Sequence, residues 1–405
     1  MPAFRYQCIE CGKQYDRDAV RYLCPDCGRH FTPGQPLRGV LQTVFDFAKI
    51  KPVFDKPCPD WSLICAVEPE YHPPFPVGNT PFVTSTRLGE ELGFSRLYIK
   101  NDGLNPSGSL KDRASYLMAA EAIRLGEPTI VTASTGNAAA ALAAVCAASG
   151  RQALIFVPAA APKAKLVQML VHGAEVVRVN GSYDDAFRLS IEYTSQRGGL
   201  NRNTAYHPLT IEGKKTVALE IYEQFGGAPD VVIVPVGDGV IIAGVHKGFC
   251  DLRDLGLIER VPRLIAVQAD TSDAIHRYVV TGEYHNAPAP RTFADSISVS
   301  APSNALMARR AIVDSGGCSV TVSDDEISEA QLLLARTSGI FTEPAAAATA
   351  AGLYKLDRAK FNRDDSIVLL VTGHGLKNVD AVIERMTLPE PIEPTWDALQ
   401  KAIPQ

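Results

Sequence analysis

Nowhere in the chain do roughly 18 apolar side chains run together, so no membrane-spanning helix is expected. The N-terminus, MPAFRYQCIECG, lacks both an apolar stretch and a small-residue cleavage site, which argues against a secretory signal. Charge of one sign is missing too. Forty Lys and Arg stand against 45 Asp and Glu, and the net −5 steers the chain towards neither nucleic acid nor anionic membrane. No segment repeats at a fixed period. What remains, 46% apolar and 21% charged over 405 residues, is the composition of a folded soluble protein with room for two ordinary domains and a small appendage. With no secretory signal, disulfides are not expected among the nine cysteines, and a cytoplasmic location is the simplest reading.

Four of those cysteines are paired by spacing: Cys8 and Cys11, then Cys24 and Cys27, each pair followed by a glycine (Gly12, Gly28) that permits a tight turn. Two such knuckles supply four thiolates for a tetrahedral Zn²⁺, and a closed four-ligand set points to a structural metal. A segment of about 30 residues buries too little to fold without one. Four free cysteines on a surface loop, or a redox CxxC, fit the doubled spacing less well. The stretch between the pairs, GKQYDRDAVRYL, mixes charge signs and has no basic stripe for nucleic acid.

Beyond the knuckles, Phe31 to Pro81 is rich in proline and aromatics and reads as an extended arm packed on the body. Strands and helices then alternate. Short apolar runs at Thr129–Ala133, Ala153–Val157, Glu175–Val179, Val231–Pro235, Leu264–Gln268 and Ile367–Val371 are separated by helical stretches such as Asn137–Ser149, ended by Gly150. The alanine-rich runs, 138–148 and EPAAAATAAG, read as close-packed helices. This alternation predicts an α/β fold with helices covering parallel sheets. Ligands in such folds sit where strands end and helices begin.

Four of those junctions are chemically unusual. In NPSGSLKDR, Lys111 follows a Gly/Ser-rich turn at a helix start, where desolvation and the helix N-terminus lower an amine's pKa. Ser134-Thr135-Gly136-Asn137 joins a strand to a helix and offers hydroxyls and free N–H groups to a carboxylate, although an ordinary N-cap uses the same residues. Gly237-Asp238-Gly239-Val240-Ile241 lets backbone approach a phosphate at a helix start, provided the Asp238 carboxylate points away or caps the helix. Thr372, in TGHGLK, places a hydroxyl at a strand end, within reach of a heteroaromatic nitrogen. A lysine, an anion cradle, a phosphate loop and a strand-end hydroxyl together match one ligand: pyridoxal 5'-phosphate joined to an amino acid.

At these residues the chain resembles the threonine synthases, fold-type-II pyridoxal-phosphate enzymes. The resemblance runs from about residue 78 to 378 through GNTP, GLNPSGSLKDR, ASTGN, LVHGAEVV, EGKKT, PVGDG, FTEPAAAA and TGHGLK, in family order. An N-terminal CxxC pair also occurs in some members. The resemblance implies two parallel-sheet α/β domains of the tryptophan synthase β-like kind plus a small zinc ribbon. The expected division is residues 1–34 for the ribbon, 35–105 and 215–405 for the large cofactor-binding domain, and 106–214 for the small one. It implies that Lys111 is the Schiff-base lysine and main proton carrier. Asn137 would bond the cofactor's phenolic oxygen, and Ser134, Thr135 and Gly136, with Asn137, the substrate carboxylate. Gly237 to Ile241 would hold the cofactor phosphate, and Thr372 the pyridine nitrogen, a hydroxyl partner that favours elimination. A homodimer acting on a small amino acid is the implied working form.

The chain departs from the family where the substrate's phosphate is held. Thr204, Ala205 and Thr210 stand where Asn, Ser and Arg are usual, and SISVSAP (Ser296 to Pro302) replaces a segment like RIGNP. The stretch TFADSISV (Thr292 to Val299) is similar to an element of serine/threonine dehydratases. Lys214 and Lys215 are the nearby residues that could substitute, but after Glu212-Gly213 they read as a solvated helix start, which leaves the phosphate site without positive charge. Two reactions therefore stand open: γ-elimination of phosphate from O-phosphohomoserine with water addition at Cβ, or elimination or β-replacement on an unphosphorylated amino acid.

Overall fold

The structure, a computed structural model, describes residues 4–32, 34–54, 59–357, 361–383 and 386–403. Pro33 and Cys58, both within the proline-rich arm, and the first three residues lie outside them.

Thirteen strands are seen among the described residues: β1 (Phe4–Cys8), β2 (Gln14–Tyr15), β3 (Leu41–Phe45), β4 (Phe82–Thr84), β5 (Arg96–Asn101), β6 (Thr129–Ala133), β7 (Gln152–Pro158), β8 (Glu175–Val179), β9 (Leu200–Asn201), β10 (Val231–Pro235), β11 (Arg263–Ala269), β12 (Cys318–Val322) and β13 (Ser366–Val371). They form three sheets. A six-stranded sheet runs β12-β11-β10-β13-β5-β4, parallel except for the antiparallel edge strand β4. A four-stranded parallel sheet runs β8-β7-β6-β9. A small antiparallel sheet, β2-β1-β3, carries the cysteine knuckles.

Period-two alternation sorts the large sheet's residues onto two covered faces. Val231 and Ile233 of β10 join one core with the alanines of the helix Pro344–Lys355, whereas Val232 and Val234 join another with the helix Val240–Asp254. Both faces are buried, so β10 and β13 read as unbroken apolar runs. The alanines of Pro344–Lys355 allow close approach: a Cβ on Gly352 would overlap the Val267 side chain.

The arm is more structured than its prolines suggested. Leu41–Phe45 is a strand of the knuckle sheet, paired with β1 from Phe4↔Phe45 to Cys8↔Leu41. Its alternation buries Leu41, Thr43 and Phe45, a signal masked by the proline-rich flanks.

Four helices surround the junctions picked out by the sequence: α1 (Lys111–Leu125), α2 (Asn137–Ser149), α3 (Leu209–Phe225) and α4 (Val240–Asp254). α3 and α4 pack through glycine: a Cβ on Gly244 would lie 2.8 Å from Lys214 Cβ, and one on Gly248 2.6 Å from Ala218 Cβ. Lys214 and Lys215, expected in solvent, are 0% and 2% exposed. The helix begins five residues ahead of them, and this seam encloses both.

A buried ion network ties α1 to β5 and α3. Arg113, with 1% of its side chain exposed, donates from Nε and Nη2 to Asp102 (2.6 and 2.8 Å) and from Nη1 and Nη2 to Glu220 (2.6 and 2.8 Å). Lys100 adds a bond to Glu220 at 2.6 Å, and Thr80 Oγ1 one to Asp102. Burial alone would raise the Glu220 carboxyl; the Arg113 hydrogen bonds outweigh it and, with Lys100, bring it down to about 2.

Removing one partner from such a network leaves uncompensated buried charge, so Arg113→Met is expected to cost about 3–5 kcal/mol in urea unfolding near neutral pH. The depressed Glu220 carboxyl stabilises the fold above its ordinary 4.5, and that contribution is lost as pH falls through about 2. The acid limb of the stability curve should therefore flatten in the variant. A loss under about 1 kcal/mol with an unchanged acid limb would count against the network's role.

Candidate functional site

The four unusual junctions open on one cavity of about 700 Å³. Lys111, Ser134 to Asn137, Gly237 to Ile241 and Thr372 all line it. The structure thus brings together every residue expected at the cofactor and substrate, while the four cysteines form a separate group.

Lys111 is the first residue of α1. The turn before it is stapled to the Thr372 loop: Leu110 N–H bonds Thr372 O at 2.9 Å, and His374 N–H bonds Gly108 O at 3.0 Å. Gly108 has φ +80°, and a Cβ there would press on the Lys377 side chain at 3.1 Å, so glycine is required. Lys377 Nζ bonds Ser107 O, and Asp112 accepts from Ser107 N–H at 2.8 Å. Asp112 and Arg113 both set this turn, but through separate partners. Burial raises the Asp112 carboxyl to about 6. The Lys111 amine has no hydrogen-bond partner among the described residues. Burial lowers its pKa, opposed by the charges of Glu343 and Asp238.

At the end of β6, Ser134 Oγ accepts from Gly136 N–H at 3.3 Å, and α2 starts at Asn137. The Asn137 amide donates to Ser296 Oγ (3.2 Å) and to both Glu343 carboxylate oxygens (3.0 and 2.9 Å). Glu343 is 5% exposed; burial raises its pKa, and the Asn137 bond and Lys111 oppose the rise.

The 237–241 loop leads into α4 through Gly239, whose φ is +81° and whose Cβ would lie 2.7 Å from Ala308 Cβ. Asp238 points away from the loop, accepting from Ser303 N–H and Oγ at 3.1 Å each. The amides of residues 237–241 have no acceptor among the described residues. A free amide cradle at the start of a 15-residue helix, an unpartnered amine and a strand-end hydroxyl are the donor set a phosphorylated pyridine aldehyde needs, so the residues fit the expected cofactor.

Three further residues join the site that the sequence motifs left without a role. Glu343 lies within FTEPAAAA; its carboxylate accepts from the distant Asn137 and feels the charges of Lys111 and Lys377. Arg202 and Lys214 are both 0% exposed, and Arg202 Nη2 and Lys214 Nζ lack hydrogen-bond partners. The expectation of a site without positive charge is therefore corrected. The signal was present in Gly213, Gly244 and Gly248, which mark a helix seam tight enough to bury whatever lies beside it.

The knuckle segment reaches the cavity as well. Phe31, Gly34, Gln35 and Leu37 line it, held by Asn286 Nδ2 on Gly34 O (2.7 Å) and Leu37 N–H on Ser303 O (3.1 Å). The thiols of Cys8, Cys11, Cys24 and Cys27 lie within 4.8 Å of one another, compatible with one metal ion.

Residues 74–373 match the family described as pyridoxal-phosphate dependent enzyme. The threonine synthase of Methanosarcina acetivorans is 36% identical over 410 residues, covering 99% of this chain and 98% of that protein. The threonine synthase of Methanocaldococcus jannaschii is 36% identical over 422 residues, covering 98% of each. Among solved structures, the processed form of threonine deaminase isoform 2 from Solanum lycopersicum aligns with a TM-score of 0.65 at 24% identity, over 75% of this chain and 82% of that one, a likeness of fold.

Borohydride reduction of the holoenzyme should fix the cofactor to Lys111, and Lys111→Ala should hold none covalently. Lys100 and Lys377 are engaged elsewhere, so the informative competitor is Lys214. Peptide mapping that found the label on Lys214 would overturn the assignment.

Proposed function

The chain belongs to the threonine synthase family of pyridoxal-phosphate dependent enzymes, and from that premise we propose that it converts O-phosphohomoserine and water to threonine and phosphate. The observation that supports this reading is a set of nitrogen donors at the cavity that the protein leaves unpartnered. Close to Lys111, Lys214 Nζ and Arg202 Nη2 lack partners among the described residues, whereas three carboxylates nearby accept bonds from the protein: Asp112 from Ser107, Glu343 from Asn137 and Asp238 from Ser303. A substrate with both a carboxylate and a phosphate answers those donors; serine or threonine answers fewer of them.

Bound to this site, the cofactor supplies an electron sink for charge developing at the substrate α-carbon. Lys111 holds it and, with its lowered pKa, moves protons at the substrate's carbons. Ser134, Thr135 and Gly136, at the start of α2, bind the substrate carboxylate. Asn137 hydrogen-bonds the cofactor's phenolic oxygen, oriented by Glu343. The amides of Gly237, Asp238, Gly239, Val240 and Ile241 take the cofactor phosphate, and Thr372 Oγ1 meets the ring nitrogen. Tyr183, Phe31, Gly34, Gln35 and Leu37 line the same cavity and take up space that water would otherwise fill. The working form in this reading is a cytoplasmic homodimer.

Side-by-side turnover of O-phosphohomoserine, threonine and serine tests the reaction. Phosphate release with threonine as product is expected. Ammonia and a 2-oxo acid without ester turnover would instead establish the dehydratase chemistry that TFADSISV resembles.

The four thiols are assigned to one structural Zn²⁺. Cys24→Ser should lose zinc by elemental analysis and keep the pyridoxal absorbance. Because Phe31, Gly34, Gln35 and Leu37 wall the cavity, it should also raise KM several-fold. An unchanged KM after zinc loss would show that the wall stands without the metal.

A further inference from the structure

Lys214 and Lys215 are neighbours in sequence with opposite fates. A step of about 100° around a helix points them at different surroundings. Lys215 is fully engaged: it pairs with Glu212, lies 3.0 Å from Asp251, bonds Ile64 O and sits 4.4 Å from the Phe45 ring centroid. Lys214 faces the cavity instead, is 0% exposed, and its Nζ bonds nothing. Behind it stands Arg202, also 0% exposed, at the end of β9. Arg202 donates from Nε to Ser115 Oγ at 3.3 Å and from Nη1 to Thr204 Oγ1 at 3.2 Å, leaving Nη2 unpartnered. Thr204 itself lines the cavity.

We propose that Lys214, backed by Arg202 across Thr204, is an anion receptor built into the cavity wall for the dianion of a phosphate monoester. A buried guanidinium and a buried amine whose donors find no acceptor weaken the fold unless a ligand of opposite charge joins them. Burial, and then the charges of Lys111 and Arg202, hold the Lys214 ammonium far below its ordinary pKa, so an arriving dianion also restores its proton. The start of α2 already offers a carboxylate its own cradle, which leaves these donors to a second anion. This receptor also explains how the chain manages with Thr204, Ala205 and Thr210: the positive charge lies at 202 and 214 instead. The phosphate is the substrate's or the cofactor's. The receptor rests on the threonine-synthase reaction only for the identity of the ester, not for its own chemistry.

The test compares wild-type holoenzyme with Lys214→Met, which keeps the chain's length and removes the charge, and Lys214→Arg, which restores it. One arm measures binding of inorganic phosphate by calorimetry together with KM for O-phosphohomoserine. The other measures release of the cofactor on dialysis from its visible absorbance. Lys214→Met should melt no lower than the wild type without added phosphate, and should weaken one arm by about tenfold or more, with Lys214→Arg recovering most of the loss. Weakening confined to the first arm assigns the substrate phosphate; weakening confined to the second assigns the cofactor phosphate. Unchanged values in both arms would overturn the proposal. If wild-type enzyme fails to turn over O-phosphohomoserine while Lys214→Met still sheds phosphate or cofactor, the reaction falls and the receptor stands.

Discussion

The geometry of the site hangs on Arg113. Its guanidinium joins the first turn of α1 to both flanking elements, Asp102 beyond β5 and Glu220 on α3. Two residues earlier on the same helix stands Lys111, so the ion network fixes where that amine emerges. Asn105 extends the frame, donating to Asp102 O at 3.0 Å and accepting from Gly78 N–H at 2.9 Å, and Asn79 N–H reaches Glu220 at 2.8 Å. A bidentate, buried Arg–carboxylate pair has little angular freedom, and lysine cannot reproduce its planar fork. The Lys111 amine can then lack partners among the described residues, because its position is set from behind.

That division of labour recurs around the cavity. Groups that would otherwise compete for the ligand are occupied by the protein. Asp238 is turned onto Ser303, Asp112 onto Ser107, and Glu343 onto Asn137. The groups left open are donors: Lys111, Lys214, Arg202 Nη2 and the amides at the start of α4. Donors left open in this way can meet an anion without first breaking bonds of their own, whereas a carboxylate already bonded by the protein offers less to a cation.

How much of this the sequence carried depends on the range of each signal. Gly-Ser turns and strand-end hydroxyls are local, and the positions of residues 111, 134–137, 237–241 and 372 could be read from a few neighbours each. The strands β6, β8 and β10 appear with the expected boundaries because an apolar run bounded by turn residues is likewise local. Burial of a charge is not local. Whether Lys214 is solvated depends on Gly244 and Gly248, some 30 residues on, allowing α4 to close over it. Whether Glu343 matters depends on Asn137, 206 residues away. Composition also hid β3, since prolines around it suggested an arm while its own alternation paired it with β1.

The knuckle sheet is joined to the cavity through the same kind of long-range contact. Arg17 pairs with Glu68 and with Glu121 of α1, Arg124 of α1 with Asp18, and Tyr22 stacks on Tyr206 at 4.7 Å while its hydroxyl accepts from Asn201 N–H. These contacts hold the sheet against α1 and against the 201–206 segment that carries Arg202 and Thr204. A segment too small to fold alone thus gains an anchor in the body, and the body gains a wall for its cavity in Phe31, Gly34, Gln35 and Leu37. The cysteine cluster and the cavity are therefore two ends of one segment: the strand that carries Cys8 and the turns that carry Cys11, Cys24 and Cys27 lie just ahead of the residues that wall the cavity.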